Sequence, residues 1–76
     1  MSDSIKKYQE LVASGKIDPK RIPEKDREDK IMGLIAEAAK QNKSAVVQIR
    51  AAEVQKLFGG ASLLLGLQVA CDELLN

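Results

Sequence analysis

A chain of 76 residues with 45% hydrophobic and 30% charged side chains, a formal net charge of +1 and no histidine has room for one small domain, 1–76, and few chemistries. Folding at this size buries only ~60% of the surface that the unfolded chain exposes, a deficit that small domains offset with disulfides, metals or oligomerisation. One cysteine excludes an internal disulfide, and one thiol without histidine cannot complete a zinc shell, so a homo-oligomer, a dimer first of all, is the expectation.

The first segment, MSDSIKKYQELVAS, sets Ile5, Tyr8, Leu11 and Val12 at spacings that share one face of a helix over about 3–14. Ser2 or Asp3 can cap its start, and Gly15 suits a left-handed position just past its end. This polar, amphipathic start carries neither the apolar stretch nor the cleavage site of a signal peptide. With a lone thiol it points to a reducing, cytoplasmic setting. Residues 15–22 form a connection, with Asp18-Pro19 as its turn signal.

Pro23 can open a second helix, about 23–41, because the N–H it lacks would find no partner in a first turn anyway. Glu24, Asp26, Glu28 and Asp29 then complement the helix dipole, and Asp26 and Lys30 stand four apart in the favourable order. Interleaved lysines and arginines argue against a carboxylate metal site. Ile31, Leu34, Ile35, Ala38 and Ala39 trace the apolar stripe, and Asn42 can take the left-handed turn that ends it.

The third segment, SAVVQIRAAEVQKLFGG, reads two ways. As a helix over about 45–58 with Ser44 as N-cap, it turns Val47, Ala51, Val54 and Phe58 inward and Gln48, Gln55 and Lys56 outward. As a strand over 45–51, it puts Val47, Ile49 and Ala51 on one side and Gln48 and Arg50 on the other. The helix takes precedence, because the helical period continues beyond residue 51 and strand propensity depends on context. The alternative order of strand, helix, helix resembles ribbon-helix-helix dimers over the last thirty or so residues. That resemblance implies a paired ribbon with Gln48 and Arg50 outward, side-chain types that read adenine and guanine.

Gly59-Gly60 breaks the chain before a fourth helix over about 61–75. Its apolar run from Leu63 ends at Gln68, far short of the ~20 residues that cross a bilayer. It cannot be the second helix of a helix-turn-helix, because Leu63, Leu64 and Leu65 would stand where polar side chains must meet base edges. As a packing helix it is two-sided. Leu64, Leu67, Cys71 and Leu74 form a heptad stripe widened by Leu63, Ala70 and Leu75, while Leu65 and Val69 make a second edge. Ser62, Gly66 and Ala70 add a row of small residues open to close helix approach. Leu64, Leu65, Gly66, Val69, Ala70 and Leu74 are therefore the expected contact with a second copy or another protein. The alternative is a central helix covered by the other three.

The chemistry that remains is slight. The usual acid–base and triad arrangements lack their histidine, and Cys71, beside Asp72 on an apolar stripe, is a core residue with a raised thiol pKa rather than a nucleophile. No cofactor is implied, and Gly59-Gly60 is not a phosphate loop. The mildly basic middle supplies Lys40, Lys43, Gln48, Arg50 and Lys56 as candidate nucleic-acid contacts. The expected molecule is an all-α, self-associating, non-catalytic regulator, adaptor or inhibitor that works by protein–protein binding, without a membrane. A dimeric DNA-binding transcriptional regulator is the second reading.

Overall fold

The computed structural model describes residues 3–18 and 24–75, and of residues 24–27 the backbone alone. Four helices follow in chain order: α1 Asp3–Ala13, α2 Glu24–Lys40, α3 Ser44–Leu57 and α4 Leu63–Leu74. Pro19 of the expected turn and the Pro23 helix start lie outside this description, as does the pairing of Asp26 with Lys30. Among the described residues the fold is all-α.

Three helices stop by one device. Gly15, Asn42 and Gly59 take φ of 78°, 57° and 73°, the left-handed turn that lets the next amide reach back five residues. The N–H groups of Lys16, Lys43 and Gly60 accordingly donate to the carbonyls of Leu11, Ala38 and Gln55 at 3.0, 2.8 and 2.8 Å. Carbonyls that a helix end leaves without a partner are thereby satisfied. Because the turn after α2 is so tight, α3 begins four residues after α2 ends.

Helix α3 corrects the strand alternative. Val47 and Ala51 are fully buried, yet Ile49, on the same side of a strand, is 65% exposed. Only a helix separates these residues, and Val47, Ala51 and Val54 then fall on one face against α4. Ser44 is not the cap. Lys43 holds that position without a side-chain cap bond, and the Ser44 hydroxyl accepts from Gln48 Nε2 at 3.0 Å. The serine that does cap is Ser62, whose Oγ accepts from the Leu65 N–H at 3.3 Å, so α4 starts two residues later than its pattern suggests.

Helix α4 is the centre of the molecule, packed by α1, α2 and α3. One of its sides joins Leu67, Ala70 and Cys71 to Ala38, Val47 and Ala51, flanked by Ile31, Leu34, Ile35, Leu74 and Leu75. The other joins Leu65 and Val69 to Ile5, Val54 and Ala61, flanked by Tyr8, Ile17 and Phe58. The cover that Leu65 and Val69 need therefore comes from the chain's own first helix and its loops. Burying a side chain the size of Ile5 contributes about 1.5–3 kcal/mol, which is what holds α1 on the bundle.

Candidate interaction surface

The residues expected to meet another chain lie inside this one. Leu64, Leu65, Gly66, Val69 and Ala70 are all buried, and Leu74 is half-buried against the first cluster. The small-residue row does admit a close helix, but that helix is α3. A Cβ placed on Gly66 would stand 2.6 Å from the Ala51 carbonyl oxygen and 3.1 Å from Gln55 Cγ. As the chain is folded, these residues of the central helix face the chain's own neighbouring helices.

The candidate nucleic-acid contacts are held within the chain or spread apart. Lys43 Nζ donates to the Leu74 carbonyl at 2.7 Å, satisfying an acceptor at the end of α4. Arg50 makes a two-pronged pair with Glu73, Nε to Oε1 at 2.8 Å and Nη2 to Oε2 at 3.1 Å. Glu73 is only 9% exposed and Arg50 29%, so the carboxylate is sheltered from solvent while the guanidinium is part-buried. Its hydrogen bonds hold the guanidinium pKa above the usual value, against the opposing effect of burial. Two side chains expected to face a ligand thus clasp the end of α4 to α3. Lys40 lies 3.9 Å from Glu37, and Gln48 is engaged with Ser44. Lys56 is exposed beside a shallow groove of about 450 Å³ that it lines with Arg50, Glu53 and Leu57. Acids sit among these bases: Glu37 beside Lys40, and Glu53 and Glu73 beside Arg50.

Cys71 keeps its expected core position. Its Sγ lies 3.9 Å from the Leu34 carbonyl, and burial, then the carboxylate of Glu37, push the thiol pKa up. The neighbouring Asp72 instead accepts a hydrogen bond from Ser4 Oγ at 2.8 Å. Burial and Asp72 together raise the Tyr8 phenol. These surroundings disfavour a thiolate. Among the described residues no cluster of three or more histidine, cysteine or acidic side chains could hold a metal, and no helix is long and apolar enough to cross a membrane.

What the sequence pattern did not reveal is the outer face of α3. Val46 is 47% exposed, Ile49 65% and Leu57 56%, all on one side of a helix whose opposite side already fills the core. Val46, Arg50, Glu53 and Leu57 follow at spacings of four, three and four, a single row along the helix. The signal was present in the sequence. The alternation in Ala45–Ala51 that imitates a strand is what a helix shows when apolar residues occupy both of its sides. No protein-family model, curated protein or solved structure matches this chain.

Proposed function

We propose that the protein is a non-catalytic binding module, a regulator, adaptor or inhibitor, that docks another protein chain on the outer face of α3. The observation that carries this reading is the exposure of Val46, Ile49 and Leu57 on one side of a helix. The bundle closes its core without these side chains, and each leaves apolar surface in water at a cost of ~25 cal/mol per Å² that a docked partner would recover. Charged Glu53 and Lys56 border them, the mixture of apolar centre and polar rim usual at interfaces. A reducing cytoplasm suits the single buried thiol. The DNA-reading alternative lacks the ribbon it requires, because residues 45–51 are helical.

The test is capture from source-cell lysate with the unmodified protein and with Ile49→Lys, each with and without nuclease. A partner that survives nuclease and is lost on Ile49→Lys is the expected result. Capture that depends on nucleic acid, or that ignores position 49, rejects the proposal.

A further inference from the structure

We infer that the occupant of this face is a second copy of the chain, packed α3 against α3 in antiparallel fashion about a two-fold axis. The inference rests on the binding reading above and adds who the partner is. A two-fold contact requires a surface that is its own complement, so that what one residue meets, its counterpart meets in return. The row Val46, Arg50, Glu53, Leu57 has that property. It reads apolar, base, acid, apolar, and reversing it places base against acid and apolar against apolar. An axis crossing the row midway sets Val46 over Leu57 of the second copy and Arg50 over its Glu53, twice each.

About the same axis, the next row along the helix, Ala45, Ile49, Ala52 and Lys56, is out of step with itself by one residue. The large, exposed Ile49 then falls between the small Ala52 and Lys56 of the second copy, a knob facing a gap. Arg50 is suitably placed, for its Nε and Nη2 serve Glu73 while Nη1 lies 3.9 Å from Glu53, on the row itself. A guanidinium has five N–H donors, so a second carboxylate can be met without releasing the first. Had the row carried two bases or two acids, self-pairing would have placed like charges opposite one another.

Sedimentation equilibrium of the full chain over micromolar to near-millimolar concentration tests this with two exposed-site variants, Val46→Lys and Leu57→Glu. The unmodified chain is expected to dimerise reversibly. Each variant alone should weaken the dimer at least tenfold while keeping its helical circular dichroism. An equimolar mixture of the two should recover it, since antiparallel pairing puts Lys at 46 against Glu at 57 and leaves the other Val46–Leu57 contact intact. A dimer that the mixture fails to recover overturns the antiparallel register. An unmodified chain that stays monomeric throughout, but still loses a lysate partner on Ile49→Lys, overturns the second copy and leaves the binding reading standing. Indifference of both dimer and partner capture to all three variants overturns both.

Discussion

Gly66 is the narrowest point of the bundle, and its substitution pits two effects against each other. Alanine is the better helix former by about 1 kcal/mol. Its methyl group, however, would meet the Ala51 carbonyl oxygen at 2.6 Å, a backbone atom that cannot rotate aside. Forcing α3 and α4 apart costs about 1–3 kcal/mol, and it also disturbs the nearby seam of fully buried Val47, Leu67 and Ala70. The clash wins. Gly66→Ala should therefore lower unfolding stability by up to about 2 kcal/mol, read as a lower urea midpoint. Gly33 is the control. It lies exposed within α2 with nothing within 4 Å of the place a methyl group would take, so Gly33→Ala should raise stability by up to ~1 kcal/mol. Equal effects at the two positions would show that propensity alone is at work.

At the scale of elements, the helices were legible and their outer faces were not. The left-handed residues Gly15 and Asn42 could be named from the sequence because few residue types take that conformation. The stripe of α2 was legible in Ile31, Leu34, Ile35 and Ala38 because its polar and apolar sides differ, while Ala39 at its edge is exposed. Helix α3 lacks that contrast, so periodicity could not say which apolar residues face in and which face out. Pairings such as Arg50 with Glu73 were illegible for another reason: they join positions 23 residues apart, and only the packing of α3 on α4 brings them together.

The seam between α1, α2 and α4 makes its own prediction. Tyr8 and Cys71 both have raised pKa values in the folded chain, by burial first and by the carboxylates of Asp72 and Glu37 second. The unfolded chain, whose thiol is ordinary, releases its proton first as pH rises. The native state then binds more protons than the unfolded state, and stability must fall with pH. The contribution is complete below the ordinary thiol value of about 8.5 and is lost as pH climbs through it toward the raised native value, with the phenol following from about 10. The urea midpoint at pH 9.5 should lie below that at pH 7, and Cys71→Ala should narrow the gap. A midpoint that holds or rises between these pH values contradicts the assignment.

For the whole molecule, the decisive fact is that α4 has two apolar sides and the chain has enough helices to cover both. Composition and pattern identify the two sides. They cannot say whether the cover for Leu65 and Val69 is the chain's own first helix or another chain, because both satisfy the same hydrophobic demand. The structure gives the answer as α1, anchored by Ile5, which is 1% exposed. Ile5 is the buried side chain of α1, with Tyr8 packed beside it, and that anchoring can be broken. Ile5→Asp places a carboxylate among Val54, Leu65 and Val69, where an unpaired charge is strongly disfavoured. The expected response is release of α1 while α2, α3 and α4 keep their shared cluster of Ala38, Val47, Ala51, Leu67, Ala70 and Cys71. Made in a Val46→Lys background to silence the α3 face, this variant should lose helical signal equivalent to the 11 residues of α1, bind a hydrophobic dye and associate with itself. The surface then joining the copies is the Leu65/Val69 edge that the sequence pattern marks as an interface. If instead the variant stays monomeric and dye-silent at full helicity, α1 is held by more than Ile5. If it unfolds completely, α2, α3 and α4 cannot stand as a unit, and the first helix belongs to the fold's core rather than to its cover.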